Sequence, residues 1–556
     1  MSPSQSPANG LRAFVRTRAA LLQVDADEMG SGTRAGTESR AWILGVGGAA
    51  VLWFALAALV VPYIADDAMI LFRHVKHLLE GHGAIWDPIL PYEAHSSPLW
   101  VFLIAGLAWL GASLPTASVA LGIAASSASM ALLVAVTRGL GPLWLRLGLV
   151  AVITTNPPVT TWTNAGLEMP LALFVVIAFV ASIGRLWRGG SRGAQAVLVA
   201  CCLASAAIRP DLPLQLGACA LALCLFPGAP RRALLVGVAS IVTGALVLAL
   251  WRMGYYGDYI ALPQRAKSVI EPINVLRYGR YLLHHSPLMI AVGAAVAALW
   301  LWRPMRPRPL ELGAILLAGA IMGEHALLGG DELSRGRFTI QPLALLTIAL
   351  VRPLAALGLP SARLGIAIAA ILLAQVALSL RPLPDGDHLC GAWREEVGLW
   401  LAAHTTEDFS IASVSAGYIP YYAERPAVDL MGLTHPEMAR LDVVRGTPEY
   451  GREVAHIAAG DGVCGFIVPV CGSVADPTCP LPPHPHKLMT GIRLYLESSP
   501  DYRPARVELE SKRHLILYVR ESCAGRIRDV RYCDGEPGLC GALPPARSAP
   551  GNAETA

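Results

Sequence analysis

The chain has 556 residues, of which 54% are hydrophobic and 15% charged, and its net charge is +4. Soluble domains carry about 25% charged residues, so this composition excludes an ordinary water-soluble enzyme. Apolar runs of about 20 residues indicate transmembrane helices. A net charge this small gives no reason to expect nucleic acid as a partner. We therefore predict an α-helical polytopic membrane protein embedded in a lipid bilayer.

The chain begins with a polar segment. Residues 1–41 are rich in Ser, Gly, Ala and Arg, and the first apolar run starts only near Trp42. No small-residue cleavage site follows that run, so we interpret 1–41 as a disordered cytoplasmic tail rather than a signal peptide. Twelve apolar candidates for membrane helices follow. They lie near residues 43–62, 98–112, 117–137, 146–156, 168–184, 193–208, 212–228, 233–252, 287–302, 310–329, 338–351 and 363–380.

Short arginine-rich loops alternate with loops that carry few cations. Positively charged loops stay in the cytoplasm, so this pattern places the loop after the first helix and the C-terminal region outside. A cytoplasmic start and an outer end require an odd number of crossings. We therefore predict about eleven transmembrane helices in a membrane domain over 42–383, with the short segments 98–112 and 146–156 as the candidates that do not cross.

Polar residues within the apolar two-thirds of the chain fall on the predicted outer side. Asp66 and Asp67 directly follow the first helix. Adjacent carboxylates at a membrane boundary are either a solvated helix end or functional groups, such as a general base or cation ligands. The apolar spacing over residues 71–79 predicts an amphipathic helix lying in the membrane interface. His95 follows in the same loop, where a lone histidine is more often structural than catalytic.

Several cations lie on the predicted outer face, although Lys and Arg are generally enriched in the cytoplasmic loops of membrane proteins. Such cations beside carboxylates indicate recognition of an anionic group, for example a lipid phosphate. Internal pairing of arginine with aspartate, as Arg209–Asp211 or Asp331–Arg335 would provide, explains them equally well. The residues concerned are Arg209, Arg265, Lys267, Arg335 and Arg337.

From about Pro384 the composition becomes polar and predicts a soluble periplasmic α/β domain over 384–540. We expect a helix at 392–404, strands near 409–414, 465–470 and 514–519, a loop at 473–486, and a disordered tail over 541–556. No independent catalytic motif occurs in this region. Its cysteines indicate disulfides or a metal site, and the spacing favours disulfides because paired C-x-x-C motifs are missing. These cysteines are Cys390, Cys464, Cys471, Cys479, Cys523, Cys533 and Cys540.

Several short motifs occur in an order that resembles a known family. Asp66-Asp67, then the segment from Glu80 to Pro88, then Ser97-Pro98-Leu99-Trp100 resemble the first outer loop of bacterial GT-C glycosyltransferases related to the mycobacterial terminal arabinofuranosyltransferase. Asp87 stands where those relatives usually carry asparagine. The resemblance covers roughly residues 42–440. Its further motifs are Ala165-Gly166-Leu167-Glu168, Arg209-Pro210-Asp211, Tyr256-Gly257-Asp258, Gly329-Gly330-Asp331, Gly417-Tyr418-Ile419-Pro420-Tyr421-Tyr422 and Asp429-Leu430-Met431-Gly432-Leu433.

The resemblance implies a membrane glycosyltransferase at the bacterial inner membrane. Its donor would be a polyprenyl-phosphate-linked sugar, with arabinofuranose as one candidate, and its acceptor an envelope glycan or glycolipid on the periplasmic face. The family's first-loop acid carries over to Asp66 and Asp67 as catalytic residues. For the donor phosphate we nominate Arg209, Lys267 and Arg337, and for substrate positioning Glu168, Asp211, Asp258, Asp331 and His95.

Other readings stay open at this point. No cofactor is predicted with certainty, metal ligands are unknown, and a divalent cation remains an option. A transporter or flippase of lipid-linked sugars would also be polytopic, although its ionisable residues should lie at midplane depth. A non-catalytic membrane anchor that presents a glycan-binding C-terminal domain is the third reading.

Overall fold

The computed structural model describes residues 40–87, 92–266, 273–302, 305–330, 335–381, 385–443, 447–468, 483–511 and 514–533. Two predicted site residues, Lys267 and Asp331, lie outside these ranges. So do the predicted C-terminal tail, the predicted N-terminal tail apart from residues 40 and 41, and most of the predicted loop at 473–486.

Helices make up the part of the chain before the C-terminal region, and each of the twelve predicted apolar segments contains one. The helices are α1 Arg40–Val60, α2 Asp66–Leu79, α3 Pro98–Trp109, α4 Leu114–Val136, α5 Leu143–Thr154, α6 Pro157–Asn164, α7 Met169–Trp187, α8 Arg192–Ile208, α9 Leu212–Leu223, α10 Arg231–Tyr256, α11 Leu262–Ala266, α12 Asn274–His285, α13 Pro287–Trp302, α14 Pro309–Leu328, α15 Ile340–Ala356 and α16 Ser361–Ser379.

Seven of the described helices are long and apolar enough to cross a membrane, namely α1, α4, α7, α10, α14, α15 with its preceding turn, and α16. Helices α12 and α13 would add an eighth span if counted as one, although they meet at 106°. Helices α3, α5, α8 and α9 are apolar but have only 12–17 residues, and about 20 are needed to cross the hydrocarbon core. The protein is therefore a multi-pass membrane protein, while the number of about eleven crossings stays a prediction.

The centre of the helical domain is formed by α7 and α15. Both are apolar on nearly all sides, and 78% of each membrane-length window is buried, against 17% for α1 and 11% for α16. A helix that is apolar all round is buried by neighbouring helices, whereas α1 and α16 present their apolar surface to lipid. Small residues in α4 permit close packing, since a Cβ on Gly122 would lie 2.1 Å from the Thr163 carbonyl oxygen.

The C-terminal domain contains a mixed six-stranded sheet. Its elements are α17 Asp385–His404, β1 Ile411–Ser413, α18 Tyr418–Ala423, β2 Ala427–Asp429, α19 Pro448–Gly460, β3 Gly465–Val468, α20 Pro483–Ser498, β4 Tyr502–Glu508, β5 His514–Arg520 and β6 Arg531–Tyr532. Strands β1 and β2 pair in parallel, as do β1 and β3, and the remaining pairs are antiparallel, in the order β2-β1-β3-β5-β4-β6. A disulfide joins Cys464, just before β3, to Cys523 after β5.

Helix α2 lies between the helical domain and the C-terminal domain. The sequence predicts a helix here, but with its apolar side on the membrane interface. In the structure Leu71 and Val75 are buried in the helical core, and Ile70 belongs to the core of the C-terminal domain. Protein therefore covers both sides of α2, because the C-terminal domain packs on the surface that the local pattern assigns to solvent. We call this end of the helical domain the interface end.

Candidate active site

The structure brings predicted acids and cations together at the interface end. Asp67 lies in the first turn of α2, and Arg337 lies in the 3₁₀ turn Arg337–Thr339 that leads into α15. Arg337 Nη1 is 3.5 Å from Asp67 Oδ2. The Arg337 guanidinium also lies over the rings of Trp162, at 5.3 Å, and Phe338, at 4.8 Å. These rings exclude water from a cation that is only 9% exposed, which strengthens its attraction for an anion.

Arg209 occupies the neighbouring position, with its guanidinium 5.3 Å from the centre of the Phe338 ring. Its Nη1 donates to Glu168 at 2.8 Å, and its Nε and Nη2 donate to the two Asp211 oxygens at 2.9 and 3.0 Å. Burial acts to raise the pKa of Asp211, but the positive charge and hydrogen bonds of Arg209, together with His325, hold that pKa below its usual value. Both carboxylates therefore offset the charge of Arg209.

Polar residues from two apolar helices extend this cluster, and the sequence analysis did not single them out. Gln215 of α9 donates to Asp211 at 3.2 Å and to Glu324 of α14 at 2.8 Å. The His325 ring stacks on Phe338 with the ring centres 4.1 Å apart. The sequence does contain a signal for them, since Glu324 and His325 are adjacent ionisable residues inside the otherwise apolar α14. Ionisable residues in such a helix usually face the interior of the bundle.

Asp66 points to the C-terminal domain. Its Oδ1 accepts hydrogen bonds from Ser415 Oγ at 2.8 Å and the Tyr418 amide at 3.1 Å, and its Oδ2 accepts one from the Gly417 amide at 3.3 Å. Arg394 Nη1 lies 3.6 Å from Oδ1. Only glycine fits this approach, since a Cβ on Gly417 would lie 2.0 Å from the Asp66 carbonyl oxygen. The two adjacent aspartates therefore have different surroundings.

Asp258 has its own arginine partners. Both of its oxygens accept from Arg265 Nη2, at 2.9 and 3.0 Å. Arg440 of the C-terminal domain lies 3.8 Å from Asp258 Oδ2. This arrangement links the loop between α10 and α11 to the C-terminal domain, and a substrate-positioning role for Asp258 stays a prediction.

His95 lies in a separate buried cluster. Its ring packs edge-on against His74 of α2 at 4.6 Å, and its Nδ1 is 3.6 Å from Glu93. Arg252 donates to both oxygens of Glu93, at 2.6 and 3.0 Å. Burial raises the pKa of Glu93 to about 7 despite Arg252. Burial, followed by the charges of His74 and Arg252, keeps the pKa of His95 well below its usual value. His95 is therefore neutral and packed beneath α2.

The arginine of the first loop, Arg73, is fully enclosed. Arg73 donates to the Trp86 carbonyl at 2.7 Å, to Asp87 at 3.0 Å and to the Arg425 carbonyl at 2.8 Å. The same Asp87 oxygen accepts from the Ala427 amide at 2.9 Å. The aspartate that departs from the family pattern thus serves as the charged partner of a buried arginine that joins the two domains.

The sequence left metal binding open, and the structure was searched for groups of metal-ligating side chains. Within the described ranges no three His, Cys, Asp or Glu side chains stand close enough to hold a metal ion together.

Comparison with known proteins identifies relatives of this chain. Residues 388–468 match the family described as "Domain of unknown function (DUF8728)", and this segment includes Arg394, Ser415, Gly417 and Tyr418, which surround Asp66. The terminal beta-(1->2)-arabinofuranosyltransferase of Mycobacterium tuberculosis is 26% identical over 352 residues, covering 52% of this chain and 54% of that protein. The protein of the same name from Corynebacterium glutamicum is 23% identical over 334 residues, covering 50% and 46%. The chain thus matches about half the length of these curated relatives.

Two solved structures have a similar fold. The archaeal oligosaccharyltransferase AglB from Archaeoglobus fulgidus, in complex with an inhibitory peptide and a dolichol-phosphate, superimposes with a TM-score of 0.53, with 12% identity over 88% of this chain and 75% of that one. The apo form of the Archaeoglobus fulgidus oligosaccharyltransferase gives a TM-score of 0.50, with 12% identity over 88% and 76%.

The helical domain, the first loop between the two domains and the C-terminal sheet domain together define a membrane protein of the GT-C fold, as the sequence predicted. In sequence, the chain is similar to the terminal arabinofuranosyltransferases of Mycobacterium tuberculosis and Corynebacterium glutamicum.

Proposed function

We propose that this protein is a membrane glycosyltransferase that moves a sugar from a polyprenyl-phosphate donor to a glycan or glycolipid acceptor at the outer face of the bacterial inner membrane. The observation that carries the proposal is the juxtaposition of Asp67 and Arg337 at the interface end. A base and a cation for a phosphate leaving group are the two groups that such a transfer requires. The names of the relatives support a glycosyl transfer.

Asp67 is the general base in this proposal. Within the part of the chain that the structure describes, no donor is hydrogen-bonded to its carboxylate, and Arg337 at 3.5 Å is beyond ordinary hydrogen-bonding distance. The side chain is 28% exposed. Its oxygens are thus accessible to an acceptor hydroxyl, a weak nucleophile that gains reactivity when a carboxylate accepts its proton.

Asp66 has a positioning role. Three hydrogen bonds from Ser415, Gly417 and Tyr418 already occupy its two oxygens. These donors leave the Asp66 oxygens less available to an acceptor hydroxyl than those of Asp67. Because Asp66 and Asp67 are adjacent in α2, holding Asp66 on the C-terminal domain fixes the direction of Asp67. The C-terminal domain is then a part of the active site.

Arg337 contacts the donor phosphate, together with Lys267, which lies outside the described residues. Arg209 has a different role, because Glu168 and Asp211 offset its charge. Its guanidinium and that of Arg337 both lie against the Phe338 ring, and Arg209 orients this ring. In the transfer step the acceptor oxygen bonds to the anomeric carbon as the bond from that carbon to the phosphate oxygen breaks. The electron pair of the broken bond stays on the polyprenyl phosphate beside Arg337, and the acceptor proton passes to Asp67.

Arabinofuranose is the sugar to test first, because the relatives named above are arabinofuranosyltransferases. The purified full chain in lipid nanodiscs is incubated with polyprenyl-phosphate arabinofuranose and an arabinan acceptor, and the products are measured by mass spectrometry. We expect the acceptor to gain one pentose and polyprenyl phosphate to be released in equal amount.

The matched variants are Asp67→Asn, which removes the base, and Asp442→Asn, which removes an exposed carboxylate of the C-terminal domain. Transfer should be lost in the first and kept in the second. Equal transfer by both variants would remove Asp67 from the mechanism. Movement of the lipid-linked sugar across vesicles, without any transfer, would instead identify a transporter.

A further inference from the structure

Helix α12 has an exposed apolar face. Val275, Leu276 and Leu283 are 55%, 65% and 70% exposed, and Gly279 lies between them on the same side of the helix. Single exposed apolar residues are common on protein surfaces, but a contiguous group of them marks a contact with another protein or with a membrane. This face of α12 therefore indicates a docking surface.

A cationic stripe runs along α12 beside the apolar face. Arg277, Arg280 and His284 follow one another at helical spacing, and all three are exposed. The helix contains no Asp or Glu. A helix that carries arginines next to an apolar face lies at the boundary between the headgroups and the acyl chains of a bilayer. The sequence predicted such a helix over residues 71–79, where protein covers both sides, but the structure has these features in α12.

The third face of α12 packs on the helical domain. Asn274 Nδ2 donates to the Leu327 carbonyl of α14 at 2.8 Å, and Tyr281 Oη accepts from the Phe338 amide at 3.2 Å. These contacts hold α12 at the interface end, beside the 3₁₀ turn that carries Arg337. The apolar face and the cationic stripe therefore lie on the outside of the molecule.

The direction of α12 matches the surface of a bilayer. Ser286 alone separates α12 from α13, and the two helices meet at 106°. Within α13 the buried residues are Met289 and Val296, so most of this apolar helix faces lipid. A helix at nearly a right angle to one that enters the bilayer lies almost parallel to the bilayer surface. The lipid-facing surface of α13 therefore continues directly into α12.

We propose that α12 docks on the bilayer surface at the interface end and binds anionic phospholipids there. Leu276 and Leu283 contact the acyl chains, while Arg277 and Arg280 contact the phosphates of the headgroups. A bilayer fits this surface better than a second copy of the chain, because the cationic stripe matches an anionic headgroup layer and α12 adjoins a lipid-facing helix. No sugar transfer is involved, so the docking is independent of the proposed activity.

Photochemical crosslinking of the full chain tests the docking. The photoreactive amino acid p-benzoylphenylalanine replaces Leu283, and the protein is illuminated in nanodiscs that contain phosphatidylglycerol and phosphatidylcholine in equal amounts. The matched control carries the same amino acid in place of exposed Arg531 of β6, at the opposite edge of the sheet from β2. Intact mass measurement identifies what is attached. We expect lipid adducts at position 283 and none at position 531.

The cationic stripe is tested by the ratio of the two lipids in the adducts at position 283. Phosphatidylglycerol should exceed phosphatidylcholine. Arg277→Gln combined with Arg280→Gln should lower this preference by about fivefold for each arginine, which is about 1 kcal/mol. Arg452→Gln, which removes an exposed cation of α19, is the control and should keep the preference. Thermal unfolding establishes that each variant is folded.

Three results would overturn the proposal. The first is a folded protein that gives no lipid adduct with the photoreactive group at Leu276 or at Leu283, two positions that do not depend on each other. The second is a covalent dimer of the chain in place of lipid adducts, which would identify a second copy as the occupant. The third is an unchanged preference for phosphatidylglycerol after both arginines are replaced.

Discussion

Helix α2 contributes one residue to each of two acid–arginine pairs, Arg73–Asp87 and Asp67–Arg337, and the two pairs differ in how deeply they are buried. In the first, Asp87 is 1% and Arg73 5% exposed at the side chain, and carbonyl groups of both domains accept from the arginine. In the second, Asp67 is 28% exposed and 3.5 Å from Arg337. A buried pair whose hydrogen bonds are satisfied holds structure together. A pair with an accessible carboxylate can exchange a proton with a substrate.

The largest effect that follows from this difference is on catalysis. Replacing Asp67 by Asn should lower kcat by about 10²–10⁴-fold, because a general base contributes that much, and leave the unfolding temperature unchanged. Replacing Asp66 by Asn should lower kcat less and weaken the contact with the C-terminal domain. Initial rates with lipid-linked sugar and thermal unfolding measure both effects. A lower rate in Asp66→Asn than in Asp67→Asn would reverse the two roles.

The enclosed pair should respond in the opposite way. Asp87→Ala leaves Arg73 as a buried charge without its carboxylate, and breaking such a pair costs about 3–5 kcal/mol. We expect a lower free energy of unfolding and ordinary transfer per folded molecule. Denaturant unfolding in detergent measures this, with Asp442→Asn as the surface control. An unchanged free energy of unfolding in Asp87→Ala would contradict this and would show that backbone carbonyls alone are enough to stabilise buried Arg73.

A smaller effect is expected for the donor phosphate. Arg337→Gln removes a charge-assisted contact, which is worth about 1.5–3 kcal/mol, and should raise KM for the lipid-linked donor by about tenfold or more. Arg337→Lys should recover part of the loss, because lysine keeps the charge without the planar fork. Steady-state kinetics at varied donor concentration test this, with Arg452→Gln as control. An unchanged donor KM in Arg337→Gln would place the phosphate elsewhere.

The smallest effect concerns pH. Burial, opposed in part by the Ile70 carbonyl, lowers the pKa of His74 to about 3. A histidine with a depressed pKa stabilises the fold above its unfolded pKa of about 6.5, and this stability is lost as pH falls. At pH 5 the loss relative to pH 8 is about 2 kcal/mol. His74→Gln should make the pH dependence of unfolding between pH 8 and 5 less steep by about this amount, while buried His95, whose pKa is also lowered, keeps its own contribution. An equally steep pH dependence in this variant would assign the effect to other groups.

Local patterns in the sequence were sufficient to predict the helices and the grouping of polar loops. All twelve apolar segments form helices, because each is a continuous run whose length and hydropathy decide its structure. The grouping of Glu168, Arg209 and Asp211 was also predictable, since motifs in alternate loops fall on one end of a helical bundle. The number of membrane crossings was harder to predict, because helices such as α3 and α9 are apolar but have only 12 residues, too few to span the hydrocarbon core.

Contacts between distant segments required the tertiary structure. Nothing local distinguishes Asp66 from Asp67, yet Asp66 bonds to Ser415, which lies 349 positions away. The enclosure of Arg73 likewise depends on carbonyl groups 347 and 352 positions away. The sequence alone determined which residue types lie along the first loop. Only the packing of the C-terminal domain on α2 decided which carboxylate is held and which is accessible, because accessibility depends on neighbours that periodicity does not encode.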